Sequence, residues 1–129
     1  MELAKSIEQI EGDVWPHSDF DSYVVRESQR LRKVPISELS PENLRLLIGQ
    51  KIALHITVPL AIDKLEKDFT SGGHYFPGDL LLEVAKLDDE FWSTNPELNN
   101  RLVEVKIEVQ SLFETLSAAL ERLKARDYR

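Results

Sequence analysis

The sequence predicts an all-α fold: a compact single-domain helical bundle spanning residues 1–129, with about five to seven helices and a long C-terminal helix. Three observations predict it. Ser40-Pro41 is a helix start, and Leu44, Leu47 and Ile48 follow at helical spacing. Asn95-Pro96 repeats that start signal ahead of Leu98, Leu102, Val105, Val109, Leu112, Leu116, Ala119 and Leu123, a four-three pattern. Only one stretch, Ile52 to Val58, alternates like a strand, and a lone strand has no partner.

Leu3 to Glu11 predicts a short helix with Leu3, Ile7 and Ile10 on one side, ended by Gly12-Asp13. Val14-Trp15-Pro16 is an extended link, because a residue before proline avoids helical geometry. Asp19 or Asp21 can cap a second helix running to Lys33, with Tyr23, Val24 and Leu31 as its apolar stripe. Pro35 stops it. In the central helix Ser40 caps, Pro41 sits where its missing N–H costs nothing, and Glu42 meets the positive end of the dipole. Gly49 marks a break or a close approach.

Ile52, Leu54, Ile56 and Val58 alternate with Ala53, His55 and Thr57, and the reading here is a buried helix. Pro59 then bends it or starts a new helix to Lys67. Phe69 to Pro77 is the main loop, with Ser71-Gly72-Gly73 at its tip. Pro77-Gly78-Asp79 opens a helix through Leu80, Leu81, Val84 and Leu87, and Asp88 to Trp92 is a helical turn or a loop. The last helix, at roughly 30 residues and ~45 Å, exceeds the ~35 Å width of a domain this size. It therefore overhangs, bends or packs on something outside the chain. Packing on the chain's own helices is the expected use of its stripe.

Composition narrows the function. There is no cysteine, which excludes disulfides and cysteine chemistry. A net charge of −7 argues against a nucleic-acid binder and suits a basic protein partner. The acids cluster: six against one base from Met1 to Val24, and seven against one from Asp68 to Glu97. If the two segments meet, they form one docking surface. The first residues lack a signal-peptide pattern, and no run is long enough to span a bilayer, so the expectation is a cytoplasmic chain without membrane contact.

No catalytic, cofactor or metal site is predicted. His55 lies in the apolar run and reads as a hydrogen-bonded core residue. His17-Ser18-Asp19-Phe20-Asp21 has a metal-like spacing but no shaped cage around it. His74 with Asp79 could support acid–base work, yet no nucleophile is placed beside the pair.

Several segments together carry a resemblance over residues 7–92. They are Trp15-Pro16, Asp19-Phe20-Asp21-Ser22-Tyr23, Leu31-Arg32-Lys33-Val34-Pro35, Pro41 to Gln50, Val58-Pro59-Leu60-Ala61 and Tyr75-Phe76-Pro77-Gly78-Asp79-Leu80-Leu81. The chain resembles bacterial immunity proteins of contact-dependent growth inhibition (CDI) systems. The resemblance implies a non-enzymatic inhibitor that binds and neutralises the C-terminal domain of a cognate toxin, often a nuclease acting on tRNA. It assigns nothing to the last helix. The alternative is a helical adaptor or homodimer built on that helix, with a free monomer the expected state.

The expected toxin-binding surface is His74, Tyr75, Asp79, Glu83, Asp88, Asp89, Glu90 and Trp92, assisted by Glu11, Asp13, Asp19 and Asp21. These acids stand near aromatics, and interfaces favour an aromatic anchor inside a charged rim. Asp79, Asp19 and Asp21 also have a competing use as helix caps.

Overall fold

A computed structural model describes residues 2–16 and 22–128. Among these residues the chain is helical, with no strand and one isolated bridge between Ser6 and Pro35. The elements are α1 (Ile7–Glu11), α2 (Tyr23–Leu31), the 3-10 turn η1 (Ile36–Glu38), α3 (Pro41–Gly49), α4 (Leu54–Lys67), α5 (Asp79–Ala85), α6 (Asp89–Thr94) and α7 (Pro96–Leu120).

The centre is α3. Ser40 Oγ accepts the Asn43 N–H at 3.1 Å, and Asn43 Oδ1 accepts the Ser40 N–H at 2.9 Å. This reciprocal pair closes the start of the helix. Leu44, Leu47 and Ile48 are fully buried, and α2, α4 and α5 pack around them. Ile56, Val58, Ala61, Ile62 and Leu65 of α4 and Leu80 and Val84 of α5 complete the core, with Ile7, Leu31, Ile36 and Leu39 at its other end.

The chain reverses between α3 and α4 within Gln50–Ala53. Lys51 (φ 57°) and Ala53 (φ 49°) both take the left-handed conformation that side chains disfavour. From there α4 runs without interruption through Pro59. No new helix starts at Pro59, which sits inside α4 in its second turn, where the missing N–H leaves one early carbonyl without its helical donor. The helical geometry also overturns the expectation for His55. Its side chain is 63% exposed, with Nε2 3.6 Å from Glu11 Oε2, while Ile56 turns inward.

Other sequence expectations shift by a few residues. Ser6 starts α1 by a reciprocal cap with Gln9, which leaves Leu3 outside the helix and exposed. Ser22, not Asp19 or Asp21, caps α2, its Oγ accepting the Val25 N–H at 3.2 Å. Tyr23 is exposed, and the inward face of α2 is Ser28 and Leu31.

Arg32 anchors the first segment. Its side chain is 1% exposed; Nη1 donates to Glu11 at 2.7 Å and Nη2 to the Asp13 carbonyl at 2.6 Å. The Trp15 ring lies over the guanidinium at 4.1 Å. A buried charge is tolerated only when it is paired and hydrogen-bonded in this way.

At the other end α7 lies on α4 and α6. Arg101 pins it by donating to Asp63 at 2.7 Å and Glu66 at 2.6 Å. Val105 is the last buried residue of the helix. Its second half projects beyond the body, so the expected packing of the whole stripe on the chain's own helices holds only for the first turns.

Leu47→Ala should cost about 2–5 kcal/mol, since it opens a cavity where α3, α4 and α5 meet. Urea unfolding measures it; a change below ~1 kcal/mol would show that the site collapses around the smaller side chain.

Candidate functional site

The main loop is held by one carboxylate. Asp79 is the first residue of α5 and is 4% exposed. Its Oδ1 accepts the Gly73 N–H at 2.7 Å and its Oδ2 the Tyr75 N–H at 3.0 Å. Burial pushes this carboxyl up. The N–H groups of Tyr75, Gly73 and Leu80, with the charge of Arg45, more than offset that and hold it below its usual range. Gly72 (φ 105°) allows the close wrap: a Cβ there would come 2.5 Å from Asp79 Oδ1.

This tie presents His74 and Tyr75 to solvent. Tyr75 is 68% exposed, and the two rings meet edge to face at 4.8 Å. Arg45 stacks on the Tyr75 ring at 4.6 Å while its guanidinium grips Glu42 through two bonds of 2.6 and 2.7 Å. Tyr23, Glu42, Arg45, Gly49, His74, Tyr75 and Glu83 line a cleft of about 440 Å³. Glu83 leans over Gly49, where an added Cβ would meet its Oε1 at 3.1 Å. Gly49 therefore serves close approach.

The predicted surface residues separate into groups. His74, Tyr75 and Glu83 share the cleft. Asp88, Asp89 and Glu90 sit exposed at the start of α6, with Asp88 Oδ1 accepting the Phe91 N–H at 2.9 Å as the cap. Trp92 is half-buried, donates to the Leu87 carbonyl at 3.1 Å, and faces α7. Asp79 is turned inward, its carboxylate committed to the loop backbone. The Glu11 carboxylate pairs with Arg32, with His55 beside it, while Asp13 gives Arg32 only its backbone carbonyl and keeps its side chain exposed. Asp19 and Asp21, like His17, lie outside the described residues.

Tyr23, Glu42 and Arg45 were not foreseen as lining residues. The Glu42–Arg45 pair is visible in sequence as an i, i+3 ion pair. Its meeting with Tyr75, thirty residues on, is a tertiary event. Among the described residues no group of three or more His, Asp or Glu could hold a metal ion, and no helix is long and apolar enough to cross a membrane.

A family model of CDI immunity proteins matches residues 9–102. The chain belongs to that family. Membership gives it an immunity role against a CDI toxin, the protein partner that such an immunity protein binds. The matched span runs from α1 to the first turns of α7 and contains the whole Tyr75 cleft. No curated protein and no solved structure matches the chain.

Asp79→Ala leaves the N–H groups of Gly73 and Tyr75 without their acceptor and should cost about 1–3 kcal/mol. Because the folded pKa is lowered, the stabilisation is complete above the unfolded value near ~4 and is lost as pH falls through the folded value. Hydrogen exchange at Gly73 and Tyr75 should show this acid loosening in the parent chain and not in Asp79→Asn. Equal pH dependence in both would remove Asp79 from the role.

Proposed function

We propose that the chain neutralises its toxin by docking the Tyr75 cleft and the acidic start of α6 onto the toxin's C-terminal domain. The observation that carries this is the exposed Tyr75 ring, held by Asp79, backed by Arg45 and bordered by Glu42 and Glu83. It is an ordered aromatic anchor with charge around it, the composition that binding hot spots favour. Asp89 and Glu90 on α6 supply further negative charge.

A toxin with a basic surface fits this face. A nuclease, including one acting on tRNA, is basic where it grips phosphate, and carboxylates can occupy that ground or block access to it. In this reading the chain acts by binding, with His74 beside the Tyr75 ring and His55 beside Glu11 as surface groups. Its place of action is the cytoplasm, where a delivered nuclease meets nucleic acid. The net charge of −7 favours a basic protein over nucleic acid as the partner.

The test is the association rate with the purified cognate toxin domain. Asp89→Lys with Glu90→Lys should slow association about tenfold at low salt, and the difference should shrink at physiological ionic strength. Asp88 is spared because it caps α6. Tyr75→Ala should raise Kd at least about tenfold, chiefly through faster dissociation. Folded variants that bind like the parent would move the interface elsewhere.

A further inference from the structure

Among the described residues, a run of exposed apolar side chains lies along the second half of α7. Leu98, Leu102 and Val105 pack against the body. The same helical face continues through Val109, Leu112, Leu116 and Leu120, beyond the point where the body ends. Leu112 is 42% exposed, Phe113 65%, Leu116 47% and Leu120 57%. A groove of about 450 Å³, lined by Leu81 and Trp92 on one side and Leu102 and Val109 on the other, opens directly onto this stripe. With Leu123 the exposed patch is roughly 500 Å², the upper end of what a monomer shows.

We propose that a second copy of this chain closes the patch, its α7 running antiparallel to the first. Charge selects this occupant and its direction. Glu104 and Glu108 lie along one edge of the stripe, and Arg122 falls on the same edge just past the last turn. In an antiparallel pair each edge meets its own counterpart with ends reversed. Glu104 and Glu108 of each copy then come within a turn of the second copy's Arg122. A parallel pair would set this edge against the opposite one, leaving Glu108 beside the second copy's Phe113 and away from Arg122.

Placement points the same way. The body sits on the stripe side of the first half of α7, so parallel pairing would drive two bodies into one space. Antiparallel pairing sends them to opposite ends. Each copy's Leu123 and tail then approach the other's groove beside Trp92. Two patches bury about 1,000 Å² in total, the lower bound of a specific interface. The expectation of a free monomer assumed a stripe covered within the chain, and the structure leaves half of it open. This inference stands apart from the Tyr75 cleft, which α7 beyond Gln110 does not line, although it brings the second copy's tail next to α6.

Sedimentation velocity of the full chain between about 1 and 300 μM should show a reversible monomer–dimer equilibrium with Kd near ~10 μM. Phe113→Glu with Leu116→Glu should weaken it at least about thirtyfold while circular dichroism stays unchanged, because both side chains are exposed. Glu108→Arg alone should weaken the dimer about fivefold, and adding Arg122→Glu should restore it. A chain that stays monomeric across this range overturns the proposal. So do a dimer indifferent to Phe113→Glu with Leu116→Glu, an open series of larger assemblies, and a monomeric chain whose Leu112–Leu120 face is covered by the toxin domain.

Discussion

Leu44, Leu47 and Ile48 of α3 must all be kept from water at once, and a nine-residue helix cannot do that alone. The rest of the fold follows from covering them. The α4 segment returns across α3 only because Lys51 and Ala53 accept left-handed backbone, which reverses the chain within four residues. That strain is set against the burial of Ile56, Val58, Ala61, Ile62 and Leu65, each of which gains about 1.5–3 kcal/mol or, for the alanine, less. Two of these walls, α4 and α5, are joined by the main loop. The main loop is thus a by-product of enclosing α3.

The N-terminal segment faces a different problem. Ile7 is the only residue of α1 that is fully buried, too little apolar surface to hold it by packing. Polar ties take over. Arg32 reaches Glu11, the Asp13 carbonyl and the Trp15 ring, while the backbones of Leu3 and Lys5 bond those of Ser37 and Ile36. The Glu11 carboxylate therefore serves the fold, although its charge marks it as surface, whereas Asp13 contributes only its backbone carbonyl. An acidic residue near a basic one in space is indistinguishable, in sequence, from an acidic residue awaiting a partner.

What was legible in the sequence was whatever depends on neighbours along the chain. Ser40-Pro41, the leucine spacing of α3 and the Pro77-Gly78-Asp79 start of α5 are local signals, and they appear in the structure where they were read. The set of short segments that resembles the immunity family was legible for the same reason, and the family match covers them. His55 was misplaced because alternating apolar residues suggest an all-round buried segment, whereas helical geometry sends every third or fourth position outward. Asp79 and Arg32 were opaque because their roles depend on Gly73, Tyr75, Glu11 and Trp15 converging from separate segments. The α7 stripe was read correctly as a pattern, but a pattern does not say where the body beneath it stops.

The tie between Asp79 and the loop has a consequence for timing. Gly73 and Tyr75 take their positions when α5 docks into the core, so the entropy of ordering the loop is spent during folding. A toxin docking on the proposed Tyr75 cleft would meet an aromatic ring that is already in place and have no disordered segment to organise. Association of this kind proceeds as near-rigid docking, with little conformational search between encounter and a settled complex. For a protein that must capture a toxin before it acts, speed of engagement is then set by diffusion and charge.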